Sequence, residues 1–274
     1  MRTIAGALCA IVLTGWAHAG EVERFVRFAT DTGARYGQVL GDQVQPLSAA
    51  PWLDGRAAGA PVALAGLELL APAEPSKVIA VGFNYISHRG EREPDPYPGL
   101  FAKFPTSISG PTADIVYPAD ATVLHYEGEM VVVIGRTARA VPQAQAAQYV
   151  FGVMAGDDVS ERAWQRDDLQ WLRAKASDGF GPIGPMVVRG IDYGDLLLET
   201  RVNGEVKQSQ RTSDLIFDVP YIVSYVSRYV TLLPGDLIFT GTPGATSAIE
   251  PGDLVEVTLE GVGSIRNRVV AAPR

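Results

Sequence analysis

A chain of 274 residues, 47% hydrophobic and 20% charged, has the length and composition of one large globular domain with room for a small companion. Its net charge of −8 and pI near 5.0, with no basic stripe, exclude nucleic acid as an expected partner. The 29 Gly and 19 Pro are dispersed, which suits a turn-rich β protein rather than a disordered one.

The N-terminus reads "MRTIAGALCAIVLTGWAHAGEVERF". Arg2 precedes an apolar stretch over residues 4–16, too short to span a bilayer, and Ala17-His18-Ala19 is an A-x-A cleavage signature. Residues 1–19 are therefore expected to be a signal peptide cut before Gly20, giving a periplasmic or secreted protein with no membrane association afterwards. Cys9, the single cysteine, lies inside that segment, so the mature chain has no disulfide framework and no thiol chemistry.

Short alternating segments such as "VERFVRFA" and "RYGQVLGDQVQPL" predict a small β-rich N-terminal lobe over residues 20–72. The Pro- and Ala-rich "LAPAEPSK" at residues 70–77 marks a boundary, with a second domain expected over 73–274. There "KVIAVG", "IVYP" and "EGEMVVVIG" read as strands, and "YVFGVMAGDDVS" as a fourth after a short Pro-started helix. "ERAWQRDDLQWLRAK" has helical spacing with Val159-Ser160 placed to cap it. "LLLETRVNGEVKQS" is a hairpin about Asn203-Gly204, and "DVPYIVSYVSRYV" an amphipathic helix with Pro220 in its first turn. "PGDLIFTGTPG", "PGDLVEVTLEG" and "GSIRNRVV" end the chain as strands between glycine turns. The fold class is α+β: a mostly β mixed roll with short peripheral helices.

The chemistry concentrates at "LHYEGEMVVVIG", residues 124–135. In a strand, residues two apart share a face, so Glu127 and Glu129 project together at the mouth of an apolar run. Two carboxylates there repel and are costly to desolvate unless a cation compensates them. Asp158 in "AGDDVSERAWQ" supplies a third oxygen ligand at a strand end, although an Asp there also reads as a helix cap. All-oxygen ligation suits Mg²⁺ or Mn²⁺, with Ca²⁺ also fitting. Zinc is disfavoured, because the mature chain has no Cys and only His88 and His125.

In "GFNYISHRGEREPDPYPG", His88 and Glu91 are spaced to stack on one helical turn, a geometry for a general base acting on water. The prolines that follow forbid a long helix and suggest a mobile flap. Lys175 in "WLRAKASD" closes a helix, where the dipole favours a cation, or else holds a substrate carboxylate or enolate oxygen. The turn "TGTPG", residues 240–244, offers a hydroxyl and backbone N–H groups to an anion.

Taken in chain order, "VGFNYISHRGE", "YEGEMVVVIG", "AGDDVSERAWQ", "WLRAKASD", the stretch ending in "PGDLIFTGTPG" and "GDLVEVTLEGVGSIRNRVV" make the sequence resemble the fumarylacetoacetate hydrolase family. The resemblance runs from Lys77 nearly to the C-terminus. It implies a mixed β-roll, a homodimer, and Mg²⁺ or Mn²⁺ held by Glu127, Glu129 and Asp158. It also implies a His88–Glu91 catalytic dyad on a lid, Lys175 as the group polarising the substrate, and Gln165 and Thr240 as substrate contacts. Arg162 stands where the family often has an Arg. The turn "TGTPGATS" departs from the TGTP-x-GV of many members, and His125, two before Glu127, reads as packing rather than as a ligand.

The expected activity is metal-dependent hydrolysis of a C–C bond in an acylpyruvate-like 2-oxo acid, through an enolate stabilised by the ion and Lys175. The alternatives are oxaloacetate-type decarboxylation and isomerisation or hydration of hydroxy-dienedioates, which use the same site. A secreted binding protein with a purely structural Ca²⁺ is the reading from another class; the adjacent His-Glu pair and a ligand set of only three carboxylates speak against it.

Overall fold

The computed structural model describes residues 21–93 and 95–273, so the expected signal segment lies outside the described residues. Its centre is a 12-stranded sheet. In spatial order the main path runs Val62–Ala63, Gln43–Pro46, Gly33–Leu40, Glu23–Thr30, Gly181–Arg189, Val150–Asp157, Gly128–Ile134, Leu237–Phe239, Val78–Gly82 and Gly99–Lys103. The N-terminal strands join this sheet edge to edge, because Glu23–Thr30 pairs antiparallel with Gly181–Arg189. A five-stranded sheet packs beside it, ordered Glu205–Arg211, Leu197–Val202, Leu254–Leu259, Gly263–Ala271 and Ile115–Tyr117. The mostly β, mixed architecture is the one expected from the sequence.

Every residue of Gly128–Ile134 is buried, which is why this segment is a continuous apolar run rather than an alternating one. It pairs antiparallel with Val150–Asp157 on one side and Leu237–Phe239 on the other. The register Gly128↔Asp157 sets the mouth of the first strand against the end of the second. Sequence-distant carboxylates thereby meet. The hairpin forms as expected, with Asn203 and Gly204 at φ 52° and 84°, the left-handed pair of a type I′ turn. Helix Val219–Ser227 buries Ile222, Val223 and Val226, and the Asp218 side chain caps it by accepting the Tyr221 N–H at 2.7 Å. Among the described residues no helix is long and apolar enough to cross a membrane.

Two local expectations are corrected. The single helix expected over residues 161–175 is two, Arg162–Asp167 and Leu172–Ala176, because Asp168 is extended at φ −82° and ψ 141°. Its cap is not Ser160, which lies in the short strand Ser160–Glu161, but the Glu161 side chain. The helix at His88 covers only Ile86–Arg89, since Gly90 takes φ 60° and turns the chain away. Glu91 therefore leaves the helical turn on which it was expected to stack with His88, and its side chain is exposed.

Candidate metal centre and active site

Glu127, Glu129 and Asp158 are buried, and each offers a carboxylate oxygen to a group whose atoms lie within 4.8 Å of one another. The backbone that presents them is tied across the strands. Asp158 donates its N–H to the Glu127 carbonyl at 2.8 Å, and Glu127 donates its own N–H to Asp157 Oδ1 at 2.7 Å. Three oxygen donors at this spacing fit a hard divalent cation. The residues thus fit the ion expected from the sequence.

Cations surround the carboxylates. Lys175 Nζ bridges Glu127 Oε2 at 2.6 Å and Asp158 Oδ2 at 2.7 Å. Arg162 Nη2 reaches Glu127 Oε1 at 2.6 Å. Lys103 Nζ donates to Asp158 Oδ1 at 2.6 Å, to the Phe180 carbonyl at 3.1 Å and to the Lys175 carbonyl. Burial alone would raise the Glu127 carboxyl, but Lys175 and then Arg162 outweigh it and hold Glu127 well below the usual carboxylate range. The ammonium of Lys175 is held charged against burial by Asp158 and Glu127. Lys103 goes the other way: burial outweighs Asp158 and lowers its pKa.

Glu129 accepts the Gly241 N–H at 2.7 Å, yet burial, then Asp158 and Glu127, push its carboxyl well above the ordinary value. These surroundings favour the protonated form of Glu129, so a cation bound there competes with its proton. Binding of Mg²⁺ or Mn²⁺ is expected to release this proton, and affinity is expected to climb as rising pH ionises Glu129. Calorimetric titrations in buffers of different ionisation enthalpy measure the release directly. A buffer-independent enthalpy would contradict it.

His88 stands at the rim of the same cavity. Its Nδ1 lies 2.6 Å from the Gly244 carbonyl, which can only accept, so the neutral ring carries its proton on Nδ1. That leaves Nε2 as the basic nitrogen, 3.8 Å from Glu127 Oε1. The cavity encloses about 380 Å³. His88, Glu127, Glu129 and Lys175 line it, Arg162 and Gln165 border it, and Phe83, Phe101 and Trp171 form an aromatic wall. Phe101 and Trp171 meet edge to face, with ring centroids 5.3 Å apart at 71°. Phe83 sits at φ 56°, an uncommon conformation for a non-glycine residue and one that collects at functional sites.

The structure thus brings together Glu127, Glu129, Asp158, Lys175, Arg162, Gln165 and His88. It does not bring Glu91 to His88. Thr240 is also displaced from its expected place: its hydroxyl donates to the Met130 carbonyl at 2.8 Å in the core, while Thr242 lines the cavity. Arg162 acquires a definite position, held by Glu127, Gln165 Oε1 at 2.9 Å and Thr246 Oγ1 at 2.8 Å. His125 is outside the carboxylate group; it bonds Thr246 Oγ1 at 2.8 Å, and burial with Arg162 lowers its pKa to about 4. Lys103, Asp157 and Thr242 were missed. A lone Lys at a strand end, and the first of two adjacent Asp residues, carry no pattern that singles them out.

A buried carboxylate triad at the mouth of a mixed β-roll, faced by a lysine and an oriented imidazole, is a site that could hold a divalent cation beside a small-molecule cavity. Residues 77–270 match the fumarylacetoacetate (FAA) hydrolase C-terminal family, and residues 23–72 match the Rv2993c-like N-terminal family. The chain belongs to the fumarylacetoacetate hydrolase family. Protein Rv2993c of Mycobacterium tuberculosis is 42% identical over 259 residues, spanning 90% of this chain and 98% of that one. The solved structure of 5-carboxymethyl-2-hydroxymuconate delta-isomerase from Mycobacterium smegmatis is 43% identical, with a TM-score of 0.86 over 91% of this chain and 100% of that one. The 4-hydroxyphenylacetate degradation bifunctional isomerase/decarboxylase of Salmonella dublin is 41% identical over 199 residues, 70% of this chain and 46% of the enzyme.

Proposed function

We propose that this protein is a Mg²⁺- or Mn²⁺-dependent isomerase of 2-hydroxy-diene dicarboxylic acids, converting the enol form to its 2-oxo isomer. The observation that carries this reading is the single oriented base. His88 Nε2 faces the carboxylates with its tautomer set by the Gly244 carbonyl, while Glu91 stays on the exposed turn. Moving a proton needs one base that can accept and return it. Splitting a C–C bond with water needs the base to be organised around that water as well. The isomerase and isomerase/decarboxylase among the relatives support the same choice.

Glu127, Glu129 and Asp158 would hold the ion, which when bound supplies Lewis-acid stabilisation of negative charge on oxygen. Lys175 brings a second positive charge to the same end of the cavity. His88 Nε2 takes the proton of the 2-hydroxyl group and returns it to a carbon of the conjugated chain. One O–H bond breaks, one C–H bond forms, and no water is consumed. The flat chain lies along the wall of Phe83, Phe101 and Trp171, and Arg162 and Gln165 meet carboxylate oxygens.

Decarboxylation of a 2-oxo diacid is the second reading, because it needs the same charge stabilisation and no activated water. The acylpyruvate hydrolase expected from the sequence rests on a His88–Glu91 pair that is not assembled here. A panel of 5-carboxymethyl-2-hydroxymuconate, oxaloacetate and acetylpyruvate separates the three in the presence of Mg²⁺. The expected result is bleaching of the dienol absorbance of the first, faster than carbon dioxide release from the second or acetate release from the third. Dominant acetate release would return the assignment to C–C hydrolysis.

A further inference from the structure

Gln208 lies on the strand Glu205–Arg211 of the five-stranded sheet and is 3% exposed. Its side chain spends all its hydrogen-bonding groups on the backbone and one hydroxyl of the site. Oε1 accepts the Gly128 N–H at 3.1 Å, and Nε2 donates to Thr242 Oγ1 at 2.8 Å and to the Pro243 carbonyl at 2.6 Å. Thr242 Oγ1 in turn donates to the Gly128 carbonyl at 2.8 Å. Both backbone polar groups of the residue between Glu127 and Glu129 are thus held by side chains. That residue has to be glycine: a Cβ there would stand 2.0 Å from Thr200 Oγ1 and 3.3 Å from Gln208 Oε1.

The other end of the connection is the base. Pro243 precedes Gly244, whose carbonyl accepts from His88 Nδ1 and whose N–H is donated to Ser87 Oγ at 2.8 Å. Ser87 Oγ then donates to Gln210 Oε1 at 2.6 Å. Gln210 lies two residues beyond Gln208 and shares its face of the strand. One face of one strand therefore grips the carboxylate strand at Gly128, the turn at Thr242 and Pro243, and the helix of His88 through Ser87.

We propose that Gln208 is a positioning residue that fixes the distance and angle between the Glu127–Glu129 pair and the His88 ring. The proposal rests on His88 being the base. A proton acceptor misplaced by about 1 Å loses on the order of 100-fold in rate. Substrate affinity depends on other groups and changes little, while ion affinity falls by about 10-fold at most, the lower end of what lost support of a metal ligand costs.

Q208M keeps the volume of the side chain and removes all three of its hydrogen bonds. With 5-carboxymethyl-2-hydroxymuconate and Mn²⁺, it is expected to lower kcat by roughly 100-fold while KM stays close to wild type and the Mn²⁺ Kd from calorimetry rises by about 10-fold at most. The imidazole ¹⁵N signals of His88 are expected to move toward a mixture of tautomers as the Gly244 carbonyl loses its register. An unchanged kcat with unchanged ¹⁵N signals overturns the proposal. So does a loss of kcat matched by an equal loss of Mn²⁺ affinity, which would make Gln208 a support of the carboxylates alone. If Q208M does not fold, Q210M breaks the Ser87 end and is expected to give a smaller loss of kcat with the same ¹⁵N change; no change in either overturns the proposal. Should His88→Ala turn over like wild type, the base assignment fails, and the ¹⁵N measurement still decides whether Gln208 orients the ring.

Discussion

Glu127→Gln is expected to eliminate tight Mg²⁺ or Mn²⁺ binding and, with it, turnover of the dienol diacid. Substitution of a residue that only supports a metal ligand commonly costs about 10–100-fold in affinity, and losing a ligand costs more. Glu127 has a second duty, since its oxygens neutralise Lys175 and Arg162 in a buried setting. Removing one partner of such a pair destabilises by about 3–5 kcal/mol. The amide keeps the shape and one hydrogen-bond acceptor, so Glu127→Gln separates ligand loss from collapse better than Glu127→Ala. Calorimetry with Mn²⁺ and a melting curve on the same sample check both parts. Retained stoichiometric Mn²⁺ binding would remove Glu127 from the ligand set.

His88→Ala is expected to leave Mn²⁺ binding intact and to slow isomerisation by roughly 100- to 10,000-fold, the range a positioned acid–base group contributes. The ring is not among the three grouped carboxylates, and its Nδ1 is bonded to the Gly244 carbonyl. Release of carbon dioxide from oxaloacetate, which needs charge stabilisation but no proton acceptor at that position, is expected to fall far less. Steady-state rates on the two substrates, measured with one enzyme preparation, give the comparison. Equal losses would end the division of labour between the base and the charged end of the cavity.

Much of the site was legible because strand geometry is periodic. Glu127 and Glu129 could be placed on one face from a period of two alone, and Asp158 from its position at the end of an apolar run. What could not be read was produced by contacts between distant segments. Lys103 reaches Asp158 across 55 residues, and Gln208 reaches Gly128 across 80. In the TGTP turn two threonines offer the same hydroxyl, and only the fold decides that Thr240 is tied to the core and Thr242 faces the cavity. The His88–Glu91 spacing was helical in sequence, but Gly90 at positive φ ended the helix at Arg89, two residues short of Glu91. Likewise the apolar period over residues 161–175 continues across an extended residue at Asp168, so periodicity predicted one helix where backbone geometry makes two. The broad β-rich fold survived these local errors because alternation, the Asn203-Gly204 turn and the buried valine run all agreed with one another.

Dependence of proton transfer on an ion held by the Glu127–Glu129–Asp158 cluster decides the assignment. It is tested most directly by titrating Mn²⁺ into protein stripped with EDTA while following both bound ion, by electron paramagnetic resonance, and the dienol absorbance of 5-carboxymethyl-2-hydroxymuconate. No isomerisation is expected in EDTA, and the rate is expected to rise in step with a single bound Mn²⁺ per chain. Full turnover in EDTA, or saturated Mn²⁺ binding without turnover, would contradict it.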